Sequence, residues 1–173
     1  MPSPICRVTL PLSGPDLFAR LLAADAEPAV RVVLLDATGP LFCAAMPDLP
    51  DELFTHRFSK PLVASVQGPA VAEGVALLAC AHVVVAAQGV SFALTEIREA
   101  RAPRGLAAIG RAIGLRRARE LALTGRVFTA PEALQYGLIH HLAPAFEFDD
   151  RADAIAGQLA VADATSIAQI LLA

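Results

Sequence analysis

The stretch Gln67–Cys80, "QGPAVAEGVALLAC", follows directly on the apolar run Lys60–Val66, "KPLVASV". The run has the β-branched, continuous character of a buried strand, and the Gly68-Pro69 pair ends it in a small-residue turn. "AEGVALLACA" then reads as a short buried helix. Strand, tight turn and buried helix form the repeating unit of an α/β fold. A helix start exposes free N–H groups and receives anions, yet an acid, Glu73, already stands in this turn. The identity of the negative charge meant for this helix start decides what the protein does.

Outward from this unit the same alternation continues. Strands are predicted in "CRVTLPL" (6–12), "VRVVLLDA" (30–37), "HVVVAA" (82–87), "SFALTE" (91–96) and "LIHHLAP" (138–144). Helices are predicted over 13–27, with Ser13 as cap, Pro15 in the first turn and Asp16 beside it. Others follow over 105–114 and 115–125, the second closed by Gly125, and over 129–137, where Thr129 and Glu132 form a capping box. From about Asp149 the chain is Ala-rich and helical. Residues 38–59 are loop-rich, and no internal repeat or linker stands out.

With 173 residues the expectation is a single domain over 1–173, with an α/β core to residue 147 and a helical segment over 148–173. Hydrophobic residues make up 55% and charged residues 18%, which is apolar for a soluble monomer, so a homo-oligomer is expected. The net charge of −3 and scattered arginines argue against a nucleic-acid surface, and the pair Arg116-Arg117 reads as a solvated helix face. The N-terminus shows no charged and apolar leader pattern. The most apolar window, "VALLACAHVVVAA", is shorter than the roughly 20 residues a membrane span needs. Cys6, Cys43 and Cys80 are odd in number and lie among apolar neighbours, as reduced thiols of a cytoplasmic protein do. No His/Cys spacing matches a metal site.

Four pieces, "VRVVLLDATGPLFCAAMPDL", "KPLVASVQGPAVAEGVALLACAHVVVAA", "SFALTEIREARAP" and "LALTGRVFTAPEALQYGLIHHL", resemble the crotonase, or enoyl-CoA hydratase/isomerase, superfamily in order and spacing. The resemblance runs from about Arg31 to Pro144. It implies a core of repeated β-β-α units assembled as trimers or hexamers. It also implies an acyl thioester substrate, carried on coenzyme A or an acyl-carrier protein, with no prosthetic group. In that family two backbone N–H groups hold the thioester oxygen as it becomes an enolate; one such donor is worth about 2.7–4 kcal/mol to the transition state.

The resemblance puts the second donor at Glu73, the middle residue of a Gly-Gly-Gly-like turn. Its carboxylate must then turn away or be paired, because an anion beside an enolate repels it; a salt-bridged glutamate at a helix start is the plain alternative. The first donor falls on Met46 when counted from Phe42. Counted back from Asp48-Leu49 it falls on Pro47, which has no N–H. Hydratases of the family use two glutamates: the first position is Ala76 here, and the second is Glu96. One carboxylate favours isomerisation, dehydration or decarboxylation over hydration. Burial at a strand end would raise the Glu96 pKa toward a working range, unless Arg98 or Arg101 pairs with it. His82, at a helix-to-strand junction, is the secondary candidate base. The family's C-terminal helical module is expected to be truncated, and its N-terminal and middle segments shortened. The competing reading is a degenerate crotonase that assembles with or stabilises partner enzymes.

Overall fold

The computed structural model of the chain describes residues 3–172. In its first half the elements are β1 (Ile5–Leu10), α1 (Gly14–Ala26), β2 (Val32–Ala37), a 3-10 turn (Asp51–Phe54), β3 (Leu62–Val66), β4 (Ala70–Val71) and α2 (Glu73–Ala79). There follow β5 (Val83–Ala87), β6 (Ser91–Ala93), a second 3-10 turn (Glu96–Glu99), α3 (Leu106–Ile113) and α4 (Leu115–Thr124). The chain closes with β7 (Val127–Thr129), α5 (Ala130–Tyr136), β8 (His141–Ala143), α6 (Phe148–Val161) and α7 (Ala164–Leu172).

Two sheets organise these elements. The larger is parallel throughout, in the order β1-β2-β3-β5-β8. Its central strands are buried on both faces, as their unbroken apolar runs require: all five residues of β3 are buried. The smaller sheet runs β4-β6-β7, with β4 and β6 parallel and β6 and β7 antiparallel. Cys43 adds a one-residue parallel bridge to Ala70 at its edge. The chain therefore repeats one pattern: a strand in the large sheet, a step in the small sheet, then a helical turn. β2, Cys43 and the first 3-10 turn make one such unit; β3, β4 and α2 a second; β5, β6 and the second 3-10 turn with α3 a third. This is the α/β core of β-β-α units expected from the sequence.

Local signals set the helix ends as read. Ser13 Oγ accepts from the Asp16 amide at 3.2 Å. Thr129 and Glu132 close a full capping box, and Gly125 and Gly137 end their helices in the left-handed region. Three details differ. The strand over 91–96 ends at Ala93, because its partner β7 pairs with only three of its residues, and Glu96 opens a 3-10 turn instead of closing a strand. The C-terminal helical segment is two helices, interrupted where Asp163 accepts from the Ser166 amide at 2.8 Å and starts α7. β4 and β7 have two and three residues, too few to show a period in the sequence.

Arg116 and Arg117 are both exposed, as a solvated helix face requires, and Arg117 also lies over the Tyr136 ring, 4.0 Å from its centroid. Among the described residues the three cysteines are free thiols, no helix is by itself long and apolar enough to cross a membrane, and no group of three or more metal-binding side chains gathers.

Candidate active site

Parallel register brings the site together. Cys43 pairs with Ala70 and Ala70 with Phe92, so three chain segments run level through the small sheet. Just beyond these level positions come Met46, Glu73 and Glu96. Open parallel strands commonly place their chemistry at such carboxyl ends. The first two segments approach very closely: a Cβ on Gly74 would sit 2.8 Å from the Cys43 carbonyl oxygen and 2.9 Å from its Cβ. Only glycine permits that contact. The preceding Ala72 takes φ 54° and ψ −122°, an unfavourable conformation for a residue with a side chain, and this swings the backbone into α2.

Glu73 is fully buried. Its carboxylate does not turn away from the helix start. Oε2 accepts from the Met46 amide at 3.0 Å, and Oε1 accepts from Arg101 Nη1 at 2.7 Å. Burial by itself pushes this carboxyl up, but the Arg101 hydrogen bond, its own amide and the Met46 amide outweigh that and hold it below the usual carboxylate range. The anion at this helix start is thus the chain's own. Arg101 is held in turn by Glu99 at 2.8 Å, and its amide donates to the Glu96 carbonyl at 3.1 Å.

Glu96 has the opposite environment. It too is fully buried, but neither carboxylate oxygen finds a hydrogen-bond partner among the described residues. Burial, and after it the Glu73 charge, raises its pKa, while its own amide and Arg101 offset this in part. The two carboxyls thus sit in surroundings that drive their pKa values in opposite directions. The Cys43 thiol is likewise pushed up to about 11 by burial and the Glu73 charge, so it is not a nucleophile.

Two apolar clefts flank the hydrogen-bond chain. One, of about 350 Å³, is lined by Leu10, Leu12 and the Phe42–Met46 turn. The other, of about 650 Å³, is lined by Ile97, Arg101, Pro103, Leu106 and Leu123. Met46 walls the first and Arg101 the second.

The structure thus brings Met46, Glu73 and Glu96 together. Pro47 offers its carbonyl to Arg104 at 2.5 Å, leaving the Met46 N–H as the donor of that turn. Ala76 is fully buried, and a Cβ on Gly105 would come within 2.7 Å of its own Cβ, so the room a longer side chain would need there is filled. His82 stands apart, past the far end of α2, whose seven residues span roughly 10 Å. Its Nδ1 accepts from the Leu62 amide at 3.0 Å and burial lowers its pKa, so it is a neutral junction residue. Arg98 donates to the Gly125 carbonyl at 2.8 Å. The alternative in which Arg98 or Arg101 pairs with Glu96 is not met: Arg101 pairs with Glu73 and Glu99, and the spacing within "EIREAR" carried no signal of the Glu73 contact.

Residues 44–172 match the family profile described as enoyl-CoA hydratase/isomerase. The chain belongs to that family. Among its relatives is the enoyl-CoA hydratase EchA19 of Mycobacterium tuberculosis, 34% identical over 143 residues, covering 69% of this chain and 54% of that protein. A putative enoyl-CoA hydratase of Thermus thermophilus is 33% identical, covering 91% of this chain and 72% of that one. The chain thus spans about half to three-quarters of the length of these relatives. A solved enoyl-CoA hydratase from Mycobacterium avium subsp. paratuberculosis superposes with a TM-score of 0.90 at 28% identity, over 98% of this chain and 76% of that one. The likeness extends through nearly the whole of this chain.

Proposed function

We propose that this member of the family acts on an acyl thioester, carried on coenzyme A or an acyl-carrier protein, through an enolate, with Glu96 as the proton-transfer group. The observation that carries the reading is the Glu96 carboxyl: buried, unpartnered and raised in pKa beside the place where the Met46 and Glu73 turns converge. A protonated carboxyl can hand a proton to an enolate carbon or shuttle it between carbons. The relatives bear hydratase names, but Ala76 stands where the resemblance places a second glutamate. With one carboxylic acid to move protons, isomerisation, dehydration or decarboxylation fits better than hydration. The test is to offer 3-enoyl, 2-enoyl and malonyl-type thioesters and follow products, with Glu96→Gln in parallel. Turnover undiminished by that change would remove Glu96 from the chemistry.

A second reading is favoured by one observation: the Met46 amide is already satisfied by Glu73. A hole filled by the chain's own carboxylate suits a scaffold that assembles with copies of itself or a partner enzyme. Leu123, Phe146, Val161, Ile170 and Leu172 are each more than 70% exposed, and a trimer or hexamer would cover such surface. Mass by size exclusion, with thermal shift against coenzyme A, separates the readings: a ligand of the native state raises the melting point, and a scaffold gives a flat response.

A further inference from the structure

We propose that the Glu73 side chain is the specificity-determining group of this site: it occupies the oxyanion position itself and closes it to a thioester oxygen until Arg101 releases it. The proposal rests on the thioester reading above and deepens it.

The argument begins with one N–H. The Met46 amide points at a single acceptor, and Glu73 Oε2 holds that place at 3.0 Å. A substrate oxygen seeking the same donor must displace a charged acceptor, the strongest kind of competitor. The second donor the site would offer is the Glu73 amide, which lies beside the same carboxylate and lowers its pKa. The Met46 donor is therefore engaged by an internal anion, and an enolate arriving beside it would meet like charge in a buried place.

The occupant is latched. Its other oxygen is bound by Arg101 Nη1 at 2.7 Å, and Arg101 Nε is bound by Glu99 at 2.8 Å. The latch is open to solvent: the Arg101 side chain is 29% exposed and Glu99 51%. The chain Met46–Glu73–Arg101 reaches from the wall of the 350 Å³ cleft to the wall of the 650 Å³ cleft. A thioester has an acyl arm and a carrier arm. Withdrawal of the Glu73 carboxylate frees the Met46 amide, whose residue lines the first of the two clefts that would receive these arms.

The test is titration of the purified chain and three variants with acetoacetyl-CoA, reading affinity by calorimetry and the near-ultraviolet absorbance of the bound enolate. Glu73→Ala removes the occupant. Arg101→Gln removes the latch through a partly exposed side chain and leaves the helix start intact, so it reports even if Glu73→Ala folds poorly. Both are expected to bind about tenfold more tightly than the unsubstituted chain and to develop the enolate band, the scale of one charge-assisted hydrogen bond. Glu73→Gln keeps the shape and a neutral acceptor for Met46 but removes the charge, so its gain in affinity is smaller than that of Glu73→Ala. Equal affinities in all four proteins overturn the closure and leave the thioester reading standing. Absence of binding in all four sinks both. A gain in Glu73→Gln as large as in Glu73→Ala refutes closure by occupancy.

Discussion

Glu73 and Glu96 are equally buried, yet two hydrogen-bond donors hold one carboxylate and, among the described residues, none reaches the other. Solvation, not exposure, therefore sets their charge. For Glu96→Gln, loss of proton transfer should reduce turnover by about 10²–10⁴-fold, measured as kcat on whichever thioester is processed. The pH dependence of stability follows from the two directions of shift. Glu96 is raised above 4.5 in the folded chain, so the folded state holds the proton more tightly, and its contribution is lost as pH rises above that value. Glu73 is lowered, so its contribution is complete above 4.5 and lost as pH falls below it. Urea unfolding from pH 4 to pH 8 should thus show Glu96→Gln gaining on the parent chain toward the alkaline end; parallel curves would mean that folding does not shift the Glu96 pKa. Position 96 was singled out in the sequence by the family resemblance, and its apolar neighbours pointed to the burial that the structure shows. The fate of the Glu73 carboxylate was not, because its partners lie 27 and 28 residues away.

At the scale of an element, the turn into α2 combines a strained residue with a glycine that cannot be replaced. Ala72 at φ 54° would be relieved by glycine, and Ala72→Gly should stabilise the chain by about 1 kcal/mol, seen as a rise in Tm of about 2–4 °C. Gly74→Ala would force its Cβ against Cys43, and should cost about 1–3 kcal/mol while separating the Met46 amide from Glu73. At the other end of the chain, Thr129→Ala should cost about 1 kcal/mol by removing the capping box of α5, with little effect on the site. Caps such as Ser13 and Thr129 could be read in advance because they act across three or four residues. The 3-10 turn at Glu96 could not, because β6 stops where its pairing with β7 stops, and β7 lies 34 residues on, counted from Ala93 to its partner Val127.

Across the whole molecule, the large sheet is covered on both sides. A minor core joins Val32, Leu34 and Val63 to Ala156 and Ala160 of α6, and Arg7 ties the same helix to β2 through Asp36 and Asp153, each at 2.5 Å. Ala156→Leu should overpack this layer and lower stability by about 1–3 kcal/mol, whereas Arg7→Ala, at exposed ion pairs, should cost less than about 1 kcal/mol. Chemical denaturation of the two variants checks the contrast. The sequence by itself determined the strands of the large sheet, the helix caps, the order of the β-β-α units and the family, because apolar runs, caps and turn residues act on their near neighbours. Tertiary structure alone decided that Met46, Glu73 and Arg101 form one hydrogen-bonded chain and that Glu96 is left without a partner. Those contacts depend on how parallel strands far apart in sequence come into register, which no local pattern encodes.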